Sequence, residues 1–529
     1  MDHWTRTQRA DSLLVMLRKR VWGRRASLPD IRRIVTDVAP IVYEAARQPA
    51  VIPLLARIAV DNHQTLEATR EKFVALQEAD LLLEAGGDPN DISSAGAAGV
   101  AQWMDSTARG QGLKVDSAAS RHLTAQIDTL NWRIAWLTYL SRPDTDPNAP
   151  GKPNFTPAEL ANLDALKQQR ETLLADRRAV DERFDPRAAL FAHTRYLLGL
   201  HSTFPSMDWI FQAYHGGEGG AKKELRLYLG GTLPHASQSI PETVANAIRT
   251  GNDGHKLTFE DVYFGVTPSS HSQAFAYLYG RGDDHRHYWW KLRSSREAIA
   301  AYRRDPVAFA KQWETFLPGR RTEAVWYPRA SEHAISDLEA LQAAKGHGLV
   351  SVTSTQVPAN PPPFVVRPAP LDTANAPSYA VLQPAAKGAL LLVAAACRKA
   401  GSKTPLTIGD LTVTPEYSAR ARALHPPKPS LRPPFPPDPA LKTLPGGGPS
   451  SDFDYHTTGL VFDIARPAGK ADQHILDYAL SYLEERQIIA VTEAKDNDER
   501  RYHLVPNPRY AEALTKIAQT GQLPDLRDL

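Results

Sequence analysis

Between Glu84 and Met104 the chain reads EAGGDPNDISSAGAAGVAQWM. A carboxylate closes an apolar stretch (Ala79, Leu81, Leu82, Leu83) and meets a run of small residues, in which Gly86, Gly87, Gly96 and Gly99 let backbone approach a ligand closely. Desolvation of a glutamate favours its protonated form, which suits a general acid. The same residue at the solvated end of a helix would be an ordinary surface charge, so the pattern alone admits both readings.

A second grouping lies near the C-terminus, in DYHTTGLVFDI at 454–464 and RYHLVPNP at 501–508. An imidazole and a carboxylate seven residues apart, His456 and Asp463, with a later imidazole, His503, can supply three protein ligands to a zinc ion that keeps one open position. Such a spacing arises often by chance.

The elements around the first grouping read as helices. Residues 28–83 carry Ala, Leu, Val, Ile, Arg and Glu at helical spacing, interrupted at Pro40, Pro49 and Pro53, and suggest two or three helices, the last ending near Glu84. Two long helices are expected across 116–183, joined by a turn-rich segment at 142–154, the second opened by a capping box at Thr156, Pro157 and Glu159. Helical patterning returns at 186–214 and 294–315. After residue 346 the composition changes: Pro358, Pro361, Pro362, Pro363, Pro368 and Pro370 suit an extended linker. A second proline tract at 425–439 and the glycines at 446–448 read as a long surface loop inside the C-terminal part.

With 62 Lys and Arg against 59 Asp and Glu in 529 residues, the near-neutral charge argues against a dedicated nucleic-acid binder. The single cysteine, Cys397, excludes an intramolecular disulfide. The longest apolar run, 389–397, stops at Arg398 and Lys399 and is too short for a membrane span. The basic start MDHWTRTQRADSLLVMLRKRVWGRR holds an apolar run, 13–17, too short for a signal-peptide core.

Glu84, Gly86, Pro89, Asn90, Ser93, Gly96, Ala97, Gly99, Gln102, Met104, Thr107 and Ala108 resemble, in order and without a gap, the glutamate-to-QxMxxTA motif of the soluble lytic transglycosylase family. DERFDP at 181–186 looks like the family segment that precedes a substrate-site helix, and AYHGGEG at 213–219 looks like its AYNxGxG motif. The likeness covers roughly 61–221, with 284–303 a weaker continuation. Ala85 stands where the family usually has serine, His215 where it has asparagine, and 116–180 looks like an insertion.

The resemblance implies a mostly α, lysozyme-like domain with an inserted helical hairpin, cleaving the MurNAc–GlcNAc bond of peptidoglycan without water and leaving a 1,6-anhydro sugar. Glu84 would protonate the glycosidic oxygen and then accept the proton of the sugar's C6 hydroxyl. That internal nucleophile removes the need for a second carboxylate. By position, Ser93 and Gln102 would hydrogen-bond the sugar, Met104 would line the apolar wall, and Tyr214, beside His215, would orient Glu84 or stabilise the transition state. No cofactor is implied for this step.

The C-terminal pattern, HxxGxxxD followed by a strand-borne YHL, resembles the D-alanyl-D-alanine carboxypeptidase-like zinc peptidases, an α+β fold, with His456, Asp463 and His503 at the ligand positions. Departures accompany it. Asp410 and Val413 stand where the family has serine and arginine, and Arg500 replaces a glutamate for which Glu493 and Glu499 are the nearby substitutes. A wall-binding module without catalysis is the competing expectation.

Together these readings divide the chain into a helical region at 1–60, a transglycosylase part at 61–330 with its insertion at 116–183, a linker at 347–378 and a carboxypeptidase-like part at 379–529. Peptidoglycan is the expected partner, the insertion a docking arm for a protein partner, and the bacterial envelope, periplasm or exterior the expected location. A goose-type lysozyme-like hydrolase and a non-catalytic glycan-binding envelope assembly protein are the alternatives.

Overall fold

The computed structural model describes residues 6–24, 28–140, 158, 162–230, 241–251, 255–314, 326–327, 334–353, 363–367, 371–424, 454–496 and 499–524. The chain is mostly helical, with a small mixed sheet near the C-terminus. Among the described residues no helix is long and apolar enough to cross a membrane. The capping box at Thr156 and the proline-rich loop at 425–448 lie outside the described residues.

The helix Leu66–Ala85 is the axis of the larger part. Thr65 caps its start by accepting from the Ala68 amide at 3.2 Å, and Gly86, at φ 58°, closes its end in the left-handed conformation. Every residue from Leu76 to Leu83 is buried, so the helix is enclosed on all faces rather than on one stripe. From the first 60 residues, Leu13, Leu17, Ile31, Ile34, Val42 and Leu55 join Phe73, Leu82, Trp209 and Trp290 in a single core.

The insertion forms the expected pair of helices, Ser117–Leu140 and Leu163–Val180. Their neck is a short backbone clasp: Asp116 N donates to Val180 O at 2.9 Å and Glu182 N to Lys114 O at 2.8 Å. The pair buries its own small core of Leu130, Ile134, Leu137 and Leu166. Beyond the neck, Arg183 grips Asp181 through two hydrogen bonds of 2.9 and 2.7 Å, with Arg183 largely buried and the Asp181 side chain fully so. The same guanidinium donates to the Trp103 carbonyl at 3.3 Å, tying the glycine-rich loop to the 181–184 segment.

The C-terminal part carries a five-stranded sheet in the order Phe364–Val366, Leu406–Ile408, Phe462–Ala465, Glu499–Pro506, Ile489–Asp496, with the first pair parallel and the others antiparallel. Its apolar face packs on the helices Pro384–Lys399 and Lys470–Glu485, and the helix Ala511–Thr520 packs in turn on Pro384–Lys399. The stretch expected as linker is partly structural. Phe364–Val366 is an edge strand of that sheet, and Val350–Ser351 pairs with Val381–Leu382 in a second, two-stranded sheet. Phe364 explains this, since a fully apolar side chain after the prolines gains more by burial against the sheet than by remaining in solvent. Cys397 is buried in the Pro384–Lys399 helix, where burial pushes its thiol up and keeps it unreactive.

The two parts share one helix. Tyr478, on Lys470–Glu485, belongs to the N-terminal core and meets Phe275 and Tyr279 edge-on at 5.6 and 5.7 Å. On the same helix Glu485 accepts from Arg9 at 3.0 Å and from the Tyr263 hydroxyl at 2.8 Å.

Gly99 sits at φ 77°, and a Cβ there would lie 1.8 Å from the Arg183 carbonyl oxygen. Gly99→Ala is expected to cost about 2–5 kcal/mol, from left-handed strain plus displacement of rigid backbone. A thermal unfolding scan of the variant checks this.

Candidate functional site

Glu84 stands on the last turn of the central helix with its side chain 17% exposed, so one edge reaches solvent while the rest faces protein. The Tyr288 hydroxyl, at the start of the helix Tyr288–Arg304, lies 2.8 Å from Glu84 Oε1 and also bonds Asp80, one turn earlier on the central helix. His215 Nδ1 is 3.3 Å from Glu84 Oε1, and its ring lies flat on Tyr288 with centroids 3.8 Å apart and planes at 10°. Burial, followed by the charges of Asp80 and Glu84, pushes the Tyr288 hydroxyl well up, so it remains a neutral donor.

Behind these groups a polar chain runs into the core. Asp80 Oδ2 is 3.3 Å from His193 Nε2, and both side chains are fully buried. Gln77 Nε2 is 3.0 Å from His193 Nδ1; an amide NH2 only donates, so Nδ1 accepts and the ring proton sits on Nε2, facing Asp80. Burial raises the Asp80 carboxyl above the usual range, against the lowering effect of His193.

The other residues expected from the sequence lie on the glycine-rich loop and on the helix Met207–Gly216. Ser93 accepts from the Ala97 amide at 3.0 Å, and Gln102, itself at φ 47°, donates to the Gly99 carbonyl at 3.0 Å, so both brace the loop around Glu84. Met104 is 45% exposed. Tyr214 does not meet Glu84. Its hydroxyl donates to the Ala101 carbonyl, and its ring packs against His193 and Trp103, at 4.6 and 6.1 Å. Consecutive helix residues point about 100° apart, so with His215 aimed at Glu84 its neighbour Tyr214 faces the core.

Sequence reasoning missed Asp80, His193 and Tyr288. A carboxylate four residues before Glu84, within an otherwise apolar run, was a readable signal for Asp80. Tyr288, 204 residues away, offered none.

In the C-terminal sheet, His456, Asp463 and His503 converge, with one ligand atom from each within 4.8 Å of the others. Asp463 and His503 are cross-strand partners, which puts both on one face of the sheet. His456 reaches them from a short turn capped by Asp454, and its Nδ1 bonds the Leu411 carbonyl at 2.8 Å, leaving Nε2 turned toward Asp463 Oδ1 at 3.2 Å. His503 Nδ1 lies 2.7 Å from the same oxygen. Two imidazoles and one carboxylate, with one imidazole oriented by a backbone carbonyl, fit the donor set of a zinc ion. Arg501 Nη1 occupies the other side, 3.2 Å from Asp463 Oδ2 and 2.8 Å from Asp410 Oδ2.

Glu493, considered as a replacement base, pairs across the ladder with Tyr502 and therefore faces away from His503. Arg466 holds it at 3.1 Å. The Glu499 side chain lies outside the described residues.

No family model matches the chain, and neither a curated protein nor a solved structure does.

Burial alone would push the His456 ring down, but the charge and hydrogen bond of Asp463 outweigh it and push the ring up to about 9. This raised value stabilises the metal-free fold below the unfolded value near 6.5, and the contribution is lost as pH rises through about 9. A zinc ion must displace that proton, so its affinity should tighten roughly tenfold per pH unit as pH rises toward 9. Calorimetric zinc titration of the whole chain at about pH 7 and pH 8 checks the slope, and His456→Ala should abolish the signal.

Proposed function

We propose that the chain is a lytic transglycosylase of peptidoglycan, with Glu84 as its single general acid and base. The observation that carries this reading is the setting of Glu84. One carboxylate stands half-buried at the mouth of a glycine-rich loop, held by a tyrosine hydroxyl and an imidazole, and the neighbouring Asp80 lies fully buried beneath it. A fully enclosed carboxyl such as Asp80 is not placed to activate a water, the part that a second carboxylate plays in hydrolytic glycosidases. The sugar's own C6 hydroxyl then serves as nucleophile, at the high effective concentration of an intramolecular reaction.

In the first step Glu84 gives its proton to the glycosidic oxygen as the bond to the anomeric carbon breaks. In the second, the C6 oxygen attacks that carbon while Glu84 takes the hydroxyl proton, which restores the acid and closes the 1,6-anhydro ring. Gln102 and Ser93 hold the loop in the conformation that receives the sugar, and Met104 provides an apolar wall.

The C-terminal part is read as a zinc peptidase-like module that engages the stem peptide of the same polymer. His456, Asp463 and His503 would hold the metal, which would polarise a carbonyl. The Arg501 guanidinium beside them is placed to meet a carboxylate. With Glu493 on the opposite face, the described side chains of this module supply binding more readily than proton transfer. Covalent connection to the first site raises the local concentration of the second once glycan is bound. This reading places the protein at the bacterial cell wall.

Digestion of purified peptidoglycan, with mass spectrometry of the products, tests both activities. Anhydro-muropeptides are expected from the native chain, and Glu84→Gln should reduce their release by about 100- to 10,000-fold. Products with reducing ends only would overturn the reading in favour of a hydrolase.

A further inference from the structure

The Tyr288 hydroxyl carries one proton, yet two carboxyl oxygens, Asp80 Oδ1 and Glu84 Oε1, lie within hydrogen-bonding reach of it. A hydroxyl can donate to only one of them. For both contacts to be hydrogen bonds, the second carboxyl must itself carry a proton and donate it to the tyrosine oxygen.

We propose that Asp80 and Glu84 share one proton through Tyr288, making Asp80 a positioning residue that stores the proton of the catalytic acid. In one arrangement Asp80 holds the proton and donates to the Tyr288 oxygen, whose own hydrogen points to Glu84. In the other, Asp80's proton has passed to the tyrosine oxygen while the tyrosine's hydrogen has passed to Glu84. Only O–H bonds are exchanged, the tyrosine ends neutral in both, and the pair keeps a single proton. This inference rests on the reading of Glu84 as the general acid.

The surroundings favour a stored proton over two charges. Asp80 is fully enclosed, and among the described residues its Oδ2 faces a single group, the His193 imidazole, whose Nε2 lies 3.3 Å away. Enclosing a carboxylate with so few donors carries a large desolvation cost, whereas enclosing a neutral carboxyl does not. The ionisable groups that face the pair are His193 from the helix Pro186–Leu200, Tyr214 and His215 from Met207–Gly216, and Tyr288 itself. Tyr214, pushed well up by burial, carries no charge, and the His193 imidazole faces Asp80 at 3.3 Å. His215 lies beside Glu84 rather than Asp80, and Asp284 is 3.9 Å from its outer nitrogen. The effect of burial on Asp80 therefore exceeds the opposing effect of the His193 imidazole beside it. The raised value that burial gives its carboxyl agrees with this.

Infrared difference spectroscopy of the full chain near pH 7 reads the shared proton without any need for activity. The native protein should show a protonated-carboxyl band that disappears in Asp80→Asn and shifts without loss in Glu84→Gln, where the enclosed Asp80 keeps the proton but its coupled partner is gone. Tyr288→Phe, which keeps both acids, should move that band to higher wavenumber because the acid loses its hydrogen bond. A band unchanged in all three variants overturns the proposal. In muropeptide release, Asp80→Asn should change the shape of the pH–rate profile, because one member of the proton-sharing pair is gone. A fall in rate that is the same at every pH means a structural role only and also overturns it. If the native chain releases no muropeptides, the transglycosylase reading fails, while the infrared comparison still decides whether the proton is shared.

Discussion

A helix enclosed on every face cannot carry an unpaired carboxylate, and this constraint shapes the larger part of the molecule. From Leu76 to Leu83 nothing reaches solvent, yet the segment includes Gln77, Glu78 and Asp80. Each therefore recruits a partner from another element: Gln77 from His193 and Thr194, Glu78 from Arg303, and Asp80 from Tyr288. Hydrogen bonds to charged groups contribute roughly 1.5–3 kcal/mol, while leaving such a group buried and unpaired costs more. The Pro186–Leu200 and Tyr288–Arg304 helices are thus held at fixed positions around the central one, and Glu84 inherits that order one turn further along.

The glycine-rich loop follows the same logic. Gly99 must pass so close to the Arg183 carbonyl that no side chain fits, and the Asp181–Arg183 pair anchors the backbone on the other side of that contact. The insertion leaves the fold at a clasp between 114–116 and 180–182, immediately next to this anchor. Sixty-odd extra residues can be accommodated there because the two ends meet, and closing a longer loop costs little when its neck is already fixed. Arg177, near the end of the hairpin, reaches back to Asn90 at 2.8 Å and links the insertion to the site loop.

The C-terminal site obeys a sheet rule instead. Pairing of Asp463 with His503 fixes their common face, and the same register sends Glu493 to the opposite one. The helix Lys470–Glu485 packs on this sheet and inserts Tyr478 into the N-terminal core, so the two sites belong to parts joined by a shared buried element as well as by the intervening chain.

Much of this was legible in the residues. The spacing from Glu84 to Ala108 marked the loop, the periodicity of 116–183 marked two helices, and the positions of His456, Asp463 and His503 marked a convergent group, because these are local patterns of residue type and interval. Other features depended on contacts between segments far apart in the chain. Proline content at 358–370 concealed the strand Phe364–Val366, whose burial requires a sheet formed by later segments. Tyr214 and His215 are equally near Glu84 in sequence terms, and the helix rotation alone decided which one faces it. The sequence by itself determined which side chains could perform chemistry; the tertiary structure decided that Tyr288 and His215, rather than Tyr214, contact Glu84, because hydrogen-bond partners of a partly buried carboxyl are chosen by packing and not by proximity along the chain.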